Sequence, residues 1–545
     1  MSATKEAMVA LEHVQGLDIS IFCMDVRAFG KEFDGYVNRA RDEHGVKYIR
    51  AMPSRIVEMP GSKNARVRFF DDKGEENQEE FDLVVLSVGL RPSASVKDTA
   101  AKLGLDLNEF GFCATDRLAP MAASKPGIYV AGAFQEPKDI PESVAQASGA
   151  AACAMEKLSA ARGTMIKRHE YPWERDVTDE KPRIGIFICH CGHNIASVVD
   201  VKAVAAAAEK MPGIAHAESN LYACSDTSQQ HIKSVIREKR LNRLVVASCS
   251  PRTHEVLFQE TLRESGLNQY LFAMTNIRDQ CSWVHRNDPE AATEKATDLM
   301  RMAVARARNL KALGTGKLPV VQSALVLGGG LAGMTTALAL GDQGFAVHLC
   351  EKEAVLGGQL RHIHSTLEGA DVASYLADLV ACVGKHPKIT VHLRTKPVQI
   401  TGHVGNFKTV LDEAGQEQTI AHGVMVLAVG GNERQTELYL NGKHPAVMTQ
   451  RQLEAMLAGE RQGAQRAPGE GLLSSDSPSV VMIQCVDSRN EAHPYCSRVC
   501  CSEAIKNALE LKKQKPKAKV VVLYKDIRTY GFRELDYQAA RETGV

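Results

Sequence analysis

Near position 330 the chain reads Ser323-Ala-Leu-Val-Leu-Gly-Gly-Gly-Leu-Ala-Gly333, a short apolar run followed by a glycine-rich turn. Helix-forming residues continue over 334–340, and a second apolar run, 345–350, ends at Glu351. This order predicts a strand, a tight turn, a helix and a second strand, the first βαβ unit of a dinucleotide-binding fold. We therefore predict an α/β fold with a parallel sheet for this part of the chain.

Three glycines of this turn are each required for a different steric reason. Gly328 permits the tight turn, Gly330 lets the backbone approach a pyrophosphate, and Gly333 lets helix and strand pack closely. The helix N-terminus then faces the phosphates, while the acid after the second strand can accept hydrogen bonds from a ribose. A purely structural turn is the alternative, but all the parts of the motif occur within about 30 residues. The predicted nucleotide contacts are Gly328, Gly330, Leu331, Ala332, Gly333, Glu351 and Lys352.

Composition and charge narrow the function. The 545 residues include 66 Lys and Arg and 65 Asp and Glu, so nothing favours nucleic acid or an anionic membrane surface. No apolar run reaches the roughly 18 residues of a transmembrane helix, and the first residues lack the apolar core of a signal peptide. We therefore expect a cytoplasmic protein, in which clustered cysteines more often serve metals or redox chemistry than disulfides.

Four of the 14 cysteines fall in one short segment: Cys485, Cys496, Cys500 and Cys501. Four thiolates gathered by a loop can hold a [4Fe–4S] cluster. A second domain that binds a nicotinamide nucleotide would show a glycine-rich turn after its first strand. Here the strand predicted at 479–483 leads directly into the cysteine segment, so the cluster motif occupies the position of that turn. A helix predicted at 503–511 would present its positive end to the cluster. Two disulfides or a zinc site are the alternatives, although the CxxC knuckles typical of zinc are missing.

A second cysteine-rich region has five members: Cys189, Cys191, Cys224, Cys249 and Cys281. Two of them follow strands predicted at 183–188 and 244–248, and the carboxyl ends of parallel strands meet at one edge of a sheet. We therefore predict a second [4Fe–4S] cluster on four of the five. The choice of four stays open because Cys189 and Cys191 compete, and buried cysteines without metal are the alternative.

The two ends of the chain repeat each other. Asp25-Val-Arg-Ala-Phe-Gly30 matches Asp526-Ile-Arg-Thr-Tyr-Gly531 at an offset of 501 positions. The simplest account is a tandem protein of two flavin modules that is cut at both ends. The predicted division is a C-terminal half-module at 1–160, a linker at 161–182, a cysteine-rich α/β domain at 183–312 and an N-terminal half-module at 320–545.

Local predictions accompany this division. They comprise strands at 18–24 and 82–88, a strand–turn–helix at 127–158, a long helix at about 289–311 and a Gly-, Ser- and Pro-rich loop at 459–478. We expect residues 1–160 to dock on 320–545 as a permuted flavin domain, although the two repeat copies would then compete for one place. Two unrelated half-modules are the alternative.

Several strings together resemble the A subunit of the heterodisulfide reductase family. They are Phe187-Ile-Cys-His-Cys-Gly-His-Asn194, Cys249-Ser-Pro-Arg-Thr-His-Glu255, Asn276-Ile-Arg-Asp-Gln-Cys-Ser-Trp-Val-His285, Val326-Leu-Gly-Gly-Gly-Leu-Ala-Gly-Met334 and Tyr495-Cys-Ser-Arg-Val-Cys-Cys501. The B subunit of the quinone-modifying oxidoreductase of sulfate reducers is similar.

The resemblance implies an oxidoreductase with FAD and several [4Fe–4S] clusters in a cytoplasmic complex. The subunit would pass electrons between a donor, such as a hydrogenase or formate dehydrogenase, and disulfide-reducing partner subunits. Some members split electron pairs at the flavin, which is called bifurcation. The paired CxxCxxC ferredoxin motifs often found in the family are missing here, which argues against direct reduction of ferredoxin.

Other strings resemble the FAD contacts of two-dinucleotide-domain, thioredoxin-reductase-like flavoproteins. Leu356–Arg361 resembles their second glycine pair, 427–431 their returning strand, and 127–133 their last FAD motif, with Ala133 in place of the usual aspartate. After that motif, Asp139 is the predicted N-cap of a helix, with Glu142 three residues on. The resemblance implies FAD contacts at Gly132, Asp139, Ile140, Gly358, Gln359, Arg361 and Gly430.

Lys506, about one turn into the helix after the four cysteines, can reach a flavin edge or can be a solvated surface group. Two further functions stay open. One is a scaffold subunit with an incomplete flavin site. The other is an NAD(P)H-dependent disulfide reductase, which would need a CxxC beside the flavin and a second glycine loop, and neither is seen.

Overall fold

The structure is a computed structural model that describes residues 1–30, 32–71, 73–167, 169–462, 471 and 473–545. Met1–Arg162 and Pro319–Val545 together form one unit, and Gly163–Leu318 forms a second. Residues 463–470 and 472, within the loop predicted at 459–478, lie outside the described residues, and residues 459–462 are helical rather than loop. Within the part of the chain that the structure describes, no helix is both long enough and apolar enough to cross a membrane.

The N-terminal segment of the first unit mixes helices with short strands. Its elements are α1 (Ser2–His13), β1 (Ser20–Cys23), α2 (Phe33–Asp42), β2 (Lys47–Arg50), β3 (Pro53–Glu58), β4 (Ala65–Phe70), β5 (Glu76–Phe81), α3 (Val96–Leu103), β6 (Thr115–Asp116), β7 (Ala119–Ala123) and α4 (Ile140–Leu158). β1 and β2 pair in parallel, whereas β3, β4 and β5 form an antiparallel sheet.

Two strands predicted in this segment do not form as expected. Residues 82–88 make no strand, and Leu83, Val85 and Val88 are 77%, 77% and 84% exposed. A run of apolar residues becomes a strand only beside a partner strand, and the described residues 1–162 provide none here. The strand predicted at the start of 127–158 is reduced to one bridge between Ala122 and Tyr129.

The second unit alternates strands and helices. Its elements are β8 (Ile184–Cys189), α5 (Val201–Glu209), β9 (Ile214–Asn220), α6 (Asp226–Glu238), β10 (Arg243–Ser248), α7 (Pro251–Glu264), β11 (Phe272–Asn276) and α8 (Pro289–Arg308). The strands form one parallel sheet in the order β11-β10-β8-β9. Every residue of β8 and β10 is buried, because α5 and α8 cover one face of the sheet and α6 and α7 cover the other.

The predicted linker belongs structurally to this second unit. Val177 is 2% exposed and lies in its core, and the Arg175 backbone N–H donates to Gly266 O at 2.9 Å. Residues 169–182 therefore pack against the unit, because they carry an apolar side chain and backbone groups that find partners there.

The C-terminal segment contains the dinucleotide-binding pattern. Its elements are β12 (Ser323–Leu327), α9 (Leu331–Asp342), β13 (Ala346–Cys350), α10 (Val372–Lys385), β14 (Ile389–His392), β15 (Thr395–His403), β16 (Asn406–Glu413), β17 (Gln416–His422), β18 (Val424–Leu427), α11 (Gln450–Gln462), β19 (Ser479–Ile483), α12 (Cys500–Gln514), β20 (Lys519–Leu523) and α13 (Arg533–Glu542). A parallel sheet has the order β14-β13-β12-β18, and β19 pairs with β20 in parallel.

The two copies of the repeat lie face to face in the first unit. Phe29 stacks on Tyr530 with ring centroids 3.8 Å apart, and Arg27 forms an ion pair with Glu534. The expected competition for one place does not occur, because β1 pairs with β2 whereas β20 pairs with β19. Helix α4 also packs against α9, so the N-terminal segment contacts the dinucleotide-binding part of the unit.

Candidate cofactor site

The glycine-rich turn after β12 leaves no room for side chains. Gly328 has a φ of +106°, and a Cβ placed on it would lie 2.2 Å from Ala428 O. A Cβ on Gly333 would lie 1.8 Å from Gly328 O. Both positions therefore require glycine, for the turn and for the close helix–strand contact that the sequence predicts.

Helix α9 begins at the end of this turn with its first N–H groups available to a ligand. Gly330 is the N-cap and has no side chain to cap the helix, so Leu331 and Ala332 start it with donors that lack intrahelical acceptors. Gly358 comes so close that a Cβ on it would lie 3.2 Å from Gly330 Cα. The resulting backbone cradle fits a pyrophosphate.

Glu351 lies at the end of β13, beside the turn. Its side chain is buried and accepts hydrogen bonds from the backbone N–H of Gly329 at 2.7 Å and of Glu353 at 2.9 Å. A carboxylate has about four acceptor sites, so capacity remains for a ribose hydroxyl. Lys352 instead extends into solvent, with its Nζ 3.9 Å from Glu353.

The other predicted flavin contacts of this segment lie around the second glycine pair. The Gln359 side-chain amide donates to Gly431 O at 2.9 Å, which ties this pair to the loop that contains Gly430. The stem of Arg361 lies along Gly357, where a Cβ would be 2.8 Å from Arg361 Cγ. The structure thus brings Gly358, Gln359 and the 430–431 loop together beside the turn.

Helix α4 starts with the capping box predicted from Asp139 and Glu142, and this prediction is confirmed. The Asp139 carboxylate accepts from Glu142 N at 2.9 Å, and the Glu142 side chain accepts from Asp139 N at 3.3 Å. Gly132 N donates to Gln146 of the same helix at 2.9 Å, and Ile140 is 80% exposed. Glu142 also forms an ion pair with Arg498 at 2.6 Å, which places the N-terminus of α4 next to the four-cysteine segment.

The four cysteines of 485–501 line one cavity, together with Gln484, Arg498, Asp526 and Arg528. Cys500 and Cys501 are the first residues of α12, so the helix starts three residues earlier than predicted. Among the described residues, no three of these sulfur atoms lie within 4.8 Å of one another. A single zinc ion binds its sulfur ligands at about 2.3 Å, so it would need these sulfur atoms closer together.

The loop around this cavity stores backbone strain. Cys485, Asp487, Arg489 and Arg498 have φ values of +58°, +55°, +55° and +74°. Each such non-glycine residue costs on the order of 1–3 kcal/mol and persists only where its surroundings hold it. Burial raises the pKa of Cys500 to about 11, and the neighbouring thiols add to the rise. Cys500 must therefore lose its proton when it becomes a metal ligand.

Lys506 is not the solvated surface group that the sequence left open. Its side chain is 11% exposed and its Nζ lies 2.7 Å from Glu454, whose side chain is 6% exposed. Lys506 also donates to Ser365 O at 3.1 Å, and Glu454 accepts from His364 N at 2.8 Å. The lysine is thus held in a fixed position on the first two turns of α12.

In the second unit, four of the five cysteines gather at the carboxyl edge of the sheet. Ala223 N and Cys191 N both donate to Cys189 Sγ, at 3.4 and 3.3 Å. Burial raises the pKa of Cys224, with smaller contributions from the adjacent Cys249 and Cys191. Cys189, Cys191, Cys224 and Cys249 therefore form one group.

Cys281 does not join that group. It lies in a π-helical turn and is fully buried beneath α8, where its thiol donates to Ala292 O at 3.1 Å. Burial raises its pKa, and the charge that acts on it is Lys295 rather than another cysteine. The structure thus brings four of the five candidates together and leaves Cys281 apart.

Several side chains around the first cavity were not predicted as site residues, among them Gln484, Arg489 and Arg528. Arg528 belongs to the Asp-x-Arg repeat. The repeat singled out this motif in the sequence, but it did not indicate that Arg528 lies beside the cysteines. The other two lie within or beside the cysteine segment, where position alone does not show which side chains face a cavity.

A family model described as pyridine nucleotide-disulphide oxidoreductase matches residues 6–151 and 322–467. The A subunit of the H2:CoB-CoM heterodisulfide,ferredoxin reductase of Methanothermobacter thermautotrophicus is 34% identical, over 68% of this chain and 69% of that protein. The iron-sulfur A subunit of the CoB–CoM heterodisulfide reductase of Methanocaldococcus jannaschii is 32% identical, over 67% of this chain and 68% of that protein. Among solved structures, Lactococcus lactis thioredoxin reductase is 15% identical over 41% of this chain and 61% of that one, with a TM-score of 0.26.

These similarities confirm the predicted α/β flavoprotein fold class and the oxidoreductase class. They support FAD as a cofactor of the family, and the name of the Methanocaldococcus jannaschii relative calls it an iron-sulfur subunit. The chain belongs to the pyridine nucleotide-disulphide oxidoreductase family and, within it, to the A-subunit family of the heterodisulfide reductases.

Proposed function

We propose that this chain passes electrons between an FAD and two [4Fe–4S] clusters, as a subunit of a heterodisulfide-reductase-like complex. FAD is held by the turn at Gly328–Gly333 and by Glu351. One cluster is held by Cys485, Cys496, Cys500 and Cys501, and the other by Cys189, Cys191, Cys224 and Cys249. The observation that carries the proposal is the single cavity lined by all four cysteines of 485–501.

The Arg498–Glu142 ion pair supports a short path between flavin and cluster. It joins the cysteine segment to the start of α4, whose N-terminal dipole favours negative charge on a bound flavin. When bound, FAD exchanges electrons in single or paired steps, while a [4Fe–4S] cluster exchanges one at a time. The residues of this chain bind both groups and keep them at a fixed separation.

Lys506 has a positioning role in this proposal. The pair it forms with Glu454 is buried, so its ammonium group is oriented rather than freely rotating. A fixed cation on the cluster-bearing helix stabilises negative charge that develops on a nearby flavin. Lys506→Met keeps the stem and removes this charge, and a flavin potential lowered by the change is the expected result.

The partner subunits are inferred from the names of the relatives. Those names combine CoB–CoM heterodisulfide with H2, formate or ferredoxin. For this chain we propose a hydrogenase- or formate-dehydrogenase-type donor and disulfide-reducing partners. Two acceptors in one relative's name support bifurcation at the flavin of this chain as well.

A scaffold with an incomplete flavin site is the second candidate. It is favoured by Ala133, which replaces the usual aspartate of the last FAD motif, and by the unpaired apolar residues 83–90. A scaffold would hold its partners without binding flavin, so cofactor content separates the two candidates. No observation of this kind favours the quinone-modifying subunit.

The test is the cofactor content of anaerobically purified protein. We expect one FAD, about eight iron atoms and about eight sulfides per chain, with flavin absorbance near 450 nm above a broad iron–sulfur shoulder. Glu351→Ala is expected to lose FAD and keep iron. Protein that is fully folded by circular dichroism but carries neither flavin nor iron after reconstitution would contradict the proposal.

A further inference from the structure

Two buried arginines reach the sulfur atoms of the first cavity. The side chains of Arg489 and Arg528 are 11% and 2% exposed. Arg489 Nη1 lies 3.9 Å from Cys485 Sγ, and the Arg528 guanidinium lies beside Cys496. Arginine is rarely buried this far without a specific partner, because removing its charge from water is unfavourable.

Both arginines are held by one carboxylate of the N-terminal segment. Asp34, near the start of α2, pairs through Oδ2 with Arg489 Nε at 3.0 Å and through Oδ1 with Arg528 Nη2 at 2.5 Å. Asp526 takes Arg489 Nη2 at 2.8 Å. Asp34 is 4% exposed, so these pairs are shielded from solvent. A residue from one end of the chain thus orients two guanidinium groups that belong to the other end.

Several side-chain N–H groups in the wall of this cavity have no hydrogen-bond acceptor among the described residues. Among the described residues, Arg528 Nε and Nη1 and Gln484 Nε2 are buried without a hydrogen-bond partner. Both side chains line the cavity that the four cysteines share. Buried N–H groups without a partner destabilise the folded protein, so this donor set indicates a ligand that is rich in acceptors. A cluster whose sulfides and thiolates accept hydrogen bonds fits this donor set.

We propose that Asp34 holds Arg489 and Arg528 as hydrogen-bond donors to the sulfur atoms of the 485–501 cluster, and that this arrangement raises the reduction potential of the cluster. The inference rests on the proposed function, since it needs a cluster at this site. One-electron reduction adds one negative charge to the cluster. Oriented N–H donors and nearby positive charge stabilise the reduced form more than the oxidised form.

The effect of this network on the reduction potential depends on the orientation of its N–H groups, because its formal charges nearly cancel. Asp34 and Asp526 offset the charges of the two arginines, so the network as a whole adds little net charge. Asp34 and Asp526 occupy some of the guanidinium N–H groups, while Arg489 Nη1 lies 3.9 Å from Cys485 Sγ and the Arg528 side chain lies beside Cys496. The groups nearest to the cluster are therefore N–H donors, and Asp34 of the N-terminal segment determines their orientation.

Arg528→Gln is the main test, read by an anaerobic redox titration in which dithionite reduces the cluster and electron paramagnetic resonance follows it. We expect the ratio of reduced to oxidised cluster at the wild-type midpoint to fall roughly tenfold. That fall is a negative shift of about 59 mV for a one-electron couple. Arg528→Lys keeps the charge but loses the planar fork of donors, so a smaller negative shift is expected.

Arg27→Gln is the matched control, because Arg27 occupies the same place in the other copy of the repeat. It also pairs across the contact between the two segments, with Glu534 and Thr529 O. Among the described residues it makes no hydrogen bond to a sulfur atom, and only its charge acts on Cys501. A shift clearly smaller than that of Arg528→Gln supports direct donation. An equal shift would overturn the inference, since it would show that loosening the contact is enough.

Iron content separates this inference from the function on which it rests. If Cys500→Ser leaves iron content unchanged, the proposed cluster is wrong and the inference falls with it. If iron is intact in Arg528→Gln and Arg489→Gln but neither midpoint moves, the inference alone is wrong. Should Arg528→Gln lose its iron, Arg489→Gln and Arg528→Lys provide the same titration.

Discussion

The two cysteine groups of the molecule share one backbone device and differ in their surroundings. Each contains a cysteine in the left-handed region, Cys485 with a φ of +58° and Cys191 with a φ of +47°. At Cys485 the neighbours are buried arginines, whereas Cys189 receives two backbone N–H groups. The first environment depends on the docking of two chain segments, and the second is complete within one parallel sheet.

The two environments are maintained by different parts of the structure. Backbone donors at the end of a strand follow from the sheet itself, so they need no further device. Guanidinium donors are long and flexible and must be fixed by carboxylates such as Asp34. Removing one cysteine from each group tests whether there are two separate clusters. Changing one neighbouring residue at a time tests whether the two environments differ in their effect on the cluster.

The largest effect is expected from removing one cysteine of each group. Cys500→Ser and Cys249→Ser should each lose about half of the iron and sulfide, because a cluster rarely survives with three thiolates and a weaker oxygen ligand. Metal analysis and electron paramagnetic resonance of each variant measure the loss. Signals of the remaining cluster serve as the internal control, and equal spectra in the two variants would contradict two separate sites.

Asp34→Ala should destabilise the first unit by about 3–5 kcal/mol, because it leaves two buried arginines without their carboxylate. Hydrogen bonds from Arg528 and Arg489 overcome the effect of burial and keep the pKa of Asp34 below its usual value, so the folded unit contains the anion. Urea unfolding followed by circular dichroism measures the change.

The control for this prediction is Asp200→Ala in the second unit. Asp200 caps α5 by accepting from Lys202 N and Ala203 N, and a lost cap costs about 1 kcal/mol. A loss at Asp34 no larger than the loss at Asp200 would show that the arginine network contributes little stability.

Arg278→Gln should shift the potential of the second cluster only slightly. Arg278 Nη1 lies 3.9 Å from Cys191 Sγ, but the side chain is 23% exposed and lies against Trp283. Solvent screens its charge more than it screens that of Arg528. Redox titrations of both variants provide the comparison, and a shift as large as that of Arg528→Gln would remove the proposed difference between the groups.

Cys281→Ala should have the smallest effect on the cofactors. Cys281 donates to Ala292 O inside the core and lies apart from the other cysteines, so iron and sulfide content should stay unchanged. The lost sulfur leaves a small cavity, which costs on the order of 1 kcal/mol. Iron content lowered by half would show that Cys281 is a ligand in place of one member of the group.

Short-range features were predictable because a few consecutive residues determine them. The turn at Gly328–Gly333 and the capping box at Asp139 are steric and hydrogen-bonding consequences of local sequence, and both occur as predicted. The strand at 82–88 was wrong for a related reason. Its apolar run has the local character of a strand, but pairing needs a neighbour that local sequence does not report.

By itself, the amino-acid sequence determined the dinucleotide turn, the family and the cysteines that are available as ligands. Only the tertiary structure decided that Cys281 stays apart, that the repeat copies face each other, and that Asp34 meets Arg489 and Arg528. The physical reason is range. Backbone sterics and caps act over a few residues, whereas burial and ion pairing depend on groups that are hundreds of positions apart and meet only when the chain has folded.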